Sequence, residues 1–481
     1  MAQSRKKSNA LRRNMIYLYA IGDYISAIVA WLIFWFYRQS VLHDINPEIY
    51  DANRAFYYRD YLLAFIAVPC IWFVLYLLSG SYFDLYKKSR LHESYRTIFI
   101  TILGCLFIGM IAFANDTDSF LYFFKITSWY FLAHISFTLF TRLILLQISK
   151  KHIASGRIKY PTLIVGTNGQ IVKLYNDIKK HISKDGTDLI GYINIENKAL
   201  EERELPINFL GNIAHLETLI DKYEIDTVLL AIPSNAHNLL EEIMIRLSYS
   251  GVAVKAMPDL YDLISGSVRM NNILAPLLIT INPELLPDWQ KVCKRALDII
   301  ASSIAIIILS PLYAFAAIKV KLSSPGPILY KQERIGLHGK PFHIYKFRSM
   351  FIDAEKNGPL LSSDFDPRIT KWGKIMRKWR IDEIPQFFNI LWGDMSLVGP
   401  RPERKYFIDA IIKTHPHYKL LHQVKPGLSS WGMVQYGYAE NVEQMTERMR
   451  YDLLYIENCS LLMDVKIMIY TIKVILQGRG K

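Results

Sequence analysis

Two adjacent acids and one arginine carry the strongest chemical signal in this sequence. Asp382 and Glu383 lie near the start of the stretch WRIDEIPQFFNILWGDMSLVGPRPE, Trp379 to Glu403, and Arg401 lies near its end between Pro400 and Pro402. An ionised carboxylate can attack phosphorus without a base to activate it. A guanidinium presents a planar fork to phosphate oxygens, and the two prolines stiffen the turn that carries it. These are the parts needed to handle a phosphoryl group and its metal, so the stretch marks the chain as an enzyme.

The elements around the pair say where that chemistry takes place. Pro385 suits the first turn of a helix, which puts Asp382 at an N-terminal end where the dipole favours the ionised form and an approaching phosphate. Just before the pair, Lys371 to Arg380 interleaves Trp372, Ile375, Met376 and Trp379 with five basic residues. That is the pattern of an interfacial helix, and it brings Asp382 to headgroup depth.

Composition points the same way. Of 481 residues 51% are hydrophobic, with 30 Tyr, 24 Phe and 9 Trp, more than a soluble domain carries. A span takes about 20 apolar residues, and four runs in the first third come close: Ile16 to Tyr37, Tyr61 to Phe83, Thr97 to Asn115, and Phe120 to Gln147. Arg5, Lys6, Lys7, Arg12 and Arg13 precede the first run, but it is long, aromatic and without a small-residue cleavage site, so it reads as an uncleaved helix.

The positive-inside rule orients the four. Lys87, Lys88, Arg90 and Arg96 follow the second run, Lys150, Lys151, Arg157 and Lys159 follow the fourth, and Asp116-Thr117-Asp118-Ser119 joins the third to the fourth. Both ends of the unit are therefore expected on the cytoplasmic side. The loop from Arg38 to Asp60, with Asp44, Glu48, Asp51 and Asp60, fits the outer side.

A net charge of +14 raises a nucleic-acid reading. The basic residues flank apolar segments instead, which suits anionic lipid headgroups, and no nucleic acid is expected as a partner. Cys70, Cys105, Cys293 and Cys459 are far apart with no CxxC spacing, so they read as buried fillers.

After Lys159 short apolar runs alternate with amphipathic ones. Tyr160 to Val165, GTNGQ, and Ile171 to Lys180 read as strand, turn and helix. Leu189 to Ile193, Thr227 to Ile232 and Val252 to Ala256 read as further strands, with a helix at Asn238 to Ser248. The pattern predicts a Rossmann-like α/β domain with a parallel sheet. Asn168 stands where the second glycine of a dinucleotide fingerprint belongs and would hinder approach to a pyrophosphate, so regulation or dimerisation is the expected role.

A fifth apolar run, Ala296 to Ile318, differs from the first four. Lys291, Lys294 and Arg295 precede it, Lys319 and Lys321 follow it, and Ser310-Pro311 interrupts it. A straight span would strand one cluster on the wrong side, whereas a proline-bent helix that returns to the same face satisfies both observations. Asp298, costly in a membrane unless paired, is spaced i, i+3 from Arg295, a spacing that allows the two to pair.

The order of short motifs that follows is more specific than any of them singly. KRALD (Lys294 to Asp298), the Ser-Pro run, GPILYKQERIG, GKPFHIYKFRSM, DPRIT, DEIPQFFNIL, GDMSLVGPRPE and KPGLSSWGMVQY recur in sequence. In this they resemble the monotopic bacterial sugar transferases, the polyprenyl-phosphate hexose-1-phosphate transferases. The four helices and α/β domain ahead of them resemble the large form of that family. The resemblance implies three domains: 1–150, a four-helix transmembrane region; 151–280, the Rossmann-like domain; and 281–481, a re-entrant helix with the catalytic domain.

It also implies transfer of hexose-1-phosphate from a UDP-sugar to undecaprenyl phosphate, giving undecaprenyl-diphosphate-sugar and UMP. This would be the first membrane step of exopolysaccharide, capsule or O-antigen synthesis, on the cytoplasmic face of the bacterial inner membrane. Asp382 would form a covalent phosphosugar. Because helix neighbours do not share a face, Glu383 takes the other task, binding Mg²⁺ that bridges the donor phosphates. Arg401, Arg377, Lys346 and Arg348 are the candidate substrate-binding cations. Arg295, Asp298, Ser310 and Pro311 are assigned to structural support or acceptor contact.

Glucose is the sugar expected by analogy, with UDP-galactose as the alternative, and a homodimer is expected from the architecture. Direct one-step transfer with Asp382 as base stays open. Two other classes compete. A nucleotide-sensing membrane scaffold with an inactive transferase half is opposed by the intact Asp382, Glu383 and Arg401. A transporter is opposed because Asp23, Lys125 and Arg142, the only charges inside the four runs, look too few and scattered for a substrate path.

Overall fold

The computed structural model describes residues 2–45, 47–112, 120–179, 186–196, 199–200, 205–233, 236–257, 278–280, 285–354, 366–437, 439 and 441–477. The loop Asp116 to Ser119, used above for orientation, lies outside them. The chain divides into two compact units: Met1–Tyr160 with Lys180–Asp188 and Asp288–Val292, and Pro161–Lys179 with Leu189–Pro287 and Cys293–Lys481.

The first unit contains four helices: α1 (Ala2–Ile45), α2 (Pro47–Leu78), α3 (Arg90–Ala112) and α4 (Phe120–Ala154). Ser8–Val41, Arg90–Ile111 and Phe120–Ala154 are long and apolar enough to cross a membrane, and α2 contributes a shorter apolar stretch, Leu62–Leu78. Between α1 and α2 the helices run on to Ile45 and resume at Pro47, where a loop from Arg38 to Asp60 was expected. The apolar length fixes how much of a helix lipid can cover and leaves it free to continue into water. Tyr19, Trp31, Phe34, Trp72, Tyr76 and Tyr130 pack inward, while Ile21, Phe36, Phe107 and Leu132 face outward.

A buried ion cluster ties these helices. Arg142 donates to both oxygens of Asp23 at 2.8 and 2.7 Å, to Glu93 at 3.2 Å and to Thr97 at 2.8 Å. The Tyr76 ring lies 4.0 Å from its guanidinium carbon, so a cation–π contact adds to the ion pairs. Asp23 and Arg142, which look scattered along the chain, are thus joined. All four cysteines are free thiols, and only Cys105 is buried.

Largely within the second unit, β1 (Tyr160–Gly166), β2 (Thr187–Asn194), β3 (Phe209–Gly211), β4 (Thr227–Ala231), β5 (Ala253–Ala256) and β6 (Ile279–Thr280) form one sheet in the order β3-β2-β1-β4-β5-β6. All its pairs with described register are parallel except the antiparallel β5–β6. Helices α5 (Asn168–Ile178), α6 (Leu216–Tyr223) and α7 (His237–Leu247) connect the strands. Gly166 serves strand packing: a Cβ there would lie 2.0 Å from the Ala231 carbonyl oxygen. Asn168 donates to Glu196 at 2.6 Å and accepts from Asn194, so the side chain standing at the fingerprint's second glycine is tied to the end of β2.

The fifth apolar run is two helices, α8 (Asp288–Ile308) and α9 (Ser310–Ser323), bent by 62° at Leu309. Beyond it come an antiparallel hairpin, β7 (Leu329–Ile335) with β8 (Pro341–Phe347), and a parallel pair, β9 (Ser396–Val398) with β10 (Gly427–Ser429). Helices α10 (Lys371–Lys378), α11 (Gln386–Trp392), α12 (Lys405–Thr414), α13 (Trp431–Gln435), α14 (Val442–Glu457) and α15 (Leu461–Leu476) complete the unit. Val398, Ile408, Ile411, Tyr418, Met445, Tyr455 and Ile467 form its main core.

Candidate active site

Asp382 and Glu383 are set by what precedes them. The Thr370 hydroxyl accepts from the Gly373 N–H at 2.9 Å and starts α10. Gly373 lets α10 approach the chain after β8, since a Cβ would stand 2.0 Å from the Ser349 carbonyl oxygen. After α10, Arg380 adopts φ 54°, a left-handed conformation that costs a non-glycine residue energy. The strained residue turns the chain into a single 3-10 turn, Ile381–Glu383.

Helix α11 begins only after Pro385 and has seven residues. Asp382 therefore sits ahead of a helix of about two turns. The dipole expected to act on it is correspondingly small, and nearby side-chain charges decide its state.

Both carboxylates are buried, Asp382 to 8% and Glu383 to 6% exposure, and their surroundings differ. Glu383 Oε1 receives Lys346 Nζ at 2.8 Å and Arg401 Nη2 at 3.3 Å. Burial alone would raise its pKa, but Lys346, Arg401 and Arg380 outweigh burial and hold it well below the usual carboxylate range. No ion pair or hydrogen bond joins the Asp382 carboxylate to another side chain among the described residues. Burial, then the Glu383 charge, raises its pKa against the pull of Lys346 and Arg377. Lys346 is itself lowered by burial, with Glu383 opposing.

Behind Arg401 lies a third buried acid, Glu403. Glu403 accepts from Arg448 at 2.6 Å and Arg334 at 3.1 Å, with Arg401 Nε at 3.9 Å. Burial opposes its ionisation, but these arginines keep its pKa low. Arg334 also donates to the Pro402 carbonyl at 3.0 Å, so the Pro-Arg-Pro turn is held from behind. Arg334 and Glu403 stood inside quoted motifs, but Arg448 had no motif to mark it. Asn389 lay inside the DEIPQFFNIL motif with no role assigned: it accepts from the Tyr345 N–H at 3.1 Å and donates to the His343 carbonyl at 2.7 Å, pinning α11 to the strand bearing Lys346.

The remaining candidates divide. Arg377, in the last turn of α10, is near enough to lower the pKa of both Asp382 and Asp366. Arg348 is 5% exposed and donates to the carbonyls of Ser324 and Pro325. Those bonds direct two nitrogens of its fork to the loop before β7. Arg295 and Asp298 do not pair. Arg295 donates to the Ile390 and Leu391 carbonyls at 2.6 and 2.8 Å, filling the open end of α11. Asp298 accepts from the Ser396 hydroxyl at 3.1 Å and the Leu397 N–H at 2.9 Å. Ser310 donates to the Ile307 carbonyl at 2.8 Å, and Pro311 occupies the first turn of α9 beside the bend.

Residues 289–478 match the bacterial sugar transferase family, and residues 78–258 match a CoA-binding domain family. The UDP-glucose:undecaprenyl-phosphate glucose-1-phosphate transferase of Caulobacter vibrioides is 40% identical over 181 residues, 37% of this chain and 68% of that protein. The chain is a member of the bacterial sugar transferase family. Two other relatives align over longer stretches. The UDP-N-acetylgalactosamine-undecaprenyl-phosphate N-acetylgalactosaminephosphotransferase of Aeromonas hydrophila is 40% identical over 240 residues, 50% of this chain and 56% of that protein. The UDP-glucose:undecaprenyl-phosphate glucose-1-phosphate transferase of Xanthomonas campestris pv. campestris is 30% identical over 318 residues, 64% of this chain and 65% of that protein. The chain thus spans somewhat over half the length of these two sugar transferases. Its apolar helices make this family member a membrane protein.

Proposed function

We propose that the protein transfers a hexose-1-phosphate from a UDP-sugar to undecaprenyl phosphate, with Asp382 as nucleophile. One observation carries the reading: Asp382, a buried carboxylate with no hydrogen bond or ion pair to a side chain among the described residues, stands beside Glu383, which is clamped by Lys346 and Arg401. In the first step an Asp382 oxygen bonds to the β-phosphorus as the bond to the bridging oxygen breaks, and UMP leaves with that electron pair. In the second step a phosphate oxygen of the acceptor attacks the same phosphorus. Asp382 is released as carboxylate, and undecaprenyl-diphosphate-sugar forms.

Lys346, Arg377 and Arg401 would orient the diphosphate and offset its charge. Arg348 is reassigned from the donor to the loop it holds. The donor set also fits Mg²⁺. Both cationic contacts to Glu383 fall on Oε1, and among the described residues no group of three or more His, Cys, Asp or Glu stands together. One or two carboxylates plus substrate phosphates is the usual coordination of that ion. Glu383, with Asp382 beside it, would hold Mg²⁺, which when bound neutralises charge on the donor phosphates.

The membrane placement belongs to the same reading. Residues 1–150 form a four-helix transmembrane region, 151–280 a regulatory or dimerising α/β domain within a homodimer, and 281–481 the catalytic part. The α8–α9 pair enters and leaves on the cytoplasmic face of the inner membrane. Exposed Ile375 and Trp379 of the α10 segment support contact with the interface beside the catalytic turn.

UDP-glucose is the favoured donor because relatives from several organisms carry that name. UDP-N-acetylgalactosamine is the second reading, on the Aeromonas relative. Purified protein in lipid, given a panel of labelled UDP-sugars without acceptor, is expected to release UMP and retain label on Asp382. Label retained by Asp382→Asn would overturn the nucleophile, and no UMP from any UDP-sugar would overturn the function.

A further inference from the structure

The bent membrane helix reaches directly into the catalytic turn. Tyr313, on α9 just past Pro311, donates its hydroxyl to the Ile384 carbonyl at 2.6 Å. That carbonyl follows Glu383 and already accepts the Phe387 N–H at 3.1 Å, so Tyr313 fills its second lone pair. The ring is wedged between two further elements. Its centroid is 5.9 Å from Phe347, which follows Lys346 on β8, and 6.0 Å from Phe388 on α11.

One side chain thus touches the strand bearing Lys346, the turn bearing Asp382 and Glu383, and the helix after that turn. The backbone on either side of Tyr313 is equally constrained: its N–H donates to the Leu309 carbonyl at 2.9 Å, at the bend itself. A change in the bend angle would therefore move the ring against the turn.

We propose that Tyr313 is a positioning residue that sets the catalytic turn from the bent membrane helix, so that the seating of α8–α9 in lipid is read out in the alignment of Asp382. The inference rests on the transfer reading above. Alignment rather than donor affinity is what such a contact controls, because Tyr313 holds backbone and makes no contact with the phosphate-binding cations. A small misplacement of a reacting group is enough to slow a step strongly.

The experiment compares wild type, Tyr313→Phe and Ser323→Ala in dimyristoyl and dioleoyl bilayers, following UMP release and labelled adduct at several UDP-glucose and UDP-N-acetylgalactosamine concentrations. Ser323→Ala removes another side-chain bond from α9, the one to the Val320 carbonyl at 3.0 Å, away from the turn. Tyr313→Phe is expected to slow adduct formation at saturating donor about tenfold, the worth of one hydrogen bond to a well-placed group, with KM changed by less than about twofold. Wild type is expected to differ in rate between the two bilayers, and Tyr313→Phe to lose most of that difference.

A wild-type rate in Tyr313→Phe, or a loss matched by Ser323→Ala and by an equal fall in thermal stability, would overturn the positioning role while leaving the transfer reading intact. No UMP release by wild type from either donor would remove the transfer reading and this inference with it.

Discussion

Lys346 Nζ stands 2.8 Å from Glu383 Oε1, and the two residues reach each other from a β-hairpin and a 3-10 turn. The pair gives the site its asymmetry. Lys346 and Arg401 both bond to Glu383, whereas among the described residues no side chain bonds to the neighbouring Asp382 carboxylate. Lys346→Met is expected to lower the rate of UMP release about 100-fold, the usual cost of removing one preorganised charge from a site of developing charge. Donor KM should rise as well, because the same ammonium would meet the diphosphate. Single-turnover kinetics with labelled donor measures both, and a variant within about threefold of wild type would remove Lys346 from the site.

The pH dependence of adduct formation follows from the two acids. Burial, then the Glu383 charge, raises the Asp382 pKa above its ordinary value, and Asp382 as the proposed nucleophile must be ionised. The rate is therefore expected to fall on the acid side with a midpoint above about 3.9. Lys346 lowers the Asp382 pKa, so Lys346→Met should move that midpoint to higher pH. A profile that stays in place or shifts toward acid would show that Lys346 does not act on Asp382.

Glu403 is a stability residue with a definite sign. Its pKa in the folded protein is held low by Arg448, Arg334 and Arg401 against burial. The stabilisation is therefore complete above the ordinary glutamate value of about 4.3 and is lost as pH falls through it toward the depressed one. Glu403→Gln leaves three guanidinium groups around a neutral amide, and breaking a buried pair costs about 3–5 kcal/mol. Thermal melting in detergent is expected to be lower near neutral pH and to lose part of its decline in acid. Equal melting curves for the two proteins would refute this.

What the sequence disclosed and what it hid divide along contact distance. Strands such as Thr227 to Ile232, observed as Thr227–Ala231, announce themselves through local alternation of side chains. The i, i+3 spacing allows Arg295 to pair with Asp298, yet its partners are carbonyls 95 and 96 positions away. Arg348 carries the same guanidinium as Arg401, and only the fold shows that one faces carbonyls and the other a carboxylate. The Asn389 amide, which fixes the Lys346 strand against α11, has a side chain that composition cannot distinguish from a surface one. Residue type named the chemistry, and tertiary contact selected which copies of each type could take part.

Gly166 gives a test of the α/β sheet that is independent of the active site. A Cβ at this position would lie 2.0 Å from the Ala231 carbonyl oxygen and 2.6 Å from its Cβ, so β1 and β4 would have to part. Gly169, three residues on, has nothing within 4 Å of the same added atom. Gly166→Ala is expected to destabilise by about 1–3 kcal/mol or more, whereas Gly169→Ala should melt like wild type. If Gly169→Ala proved the more damaging, the glycine needed in this turn would be the one facing a ligand rather than a strand.

Arg142 decides whether the charges in the apolar helices form one structure. Its guanidinium meets Asp23 at 2.7 Å and Glu93 at 3.2 Å, and the fractional exposures of the three side chains are only 1%, 2% and 1%. Polar groups inside a membrane region are expensive unless paired, and Arg142→Leu would leave two acids facing one another without it. Lys88 and Arg96 would still reach Glu93, at 3.3 and 2.6 Å, but they have no contact with Asp23. The expected loss is therefore about 3–5 kcal/mol, most of it from Asp23. Asp23→Asn in the Arg142→Leu background should restore much of it by removing the orphaned charge. Yield of monodisperse protein and melting temperature in detergent report both effects. A single Arg142→Leu variant as stable as wild type would mean that the cluster is not what holds α1 and α4 together.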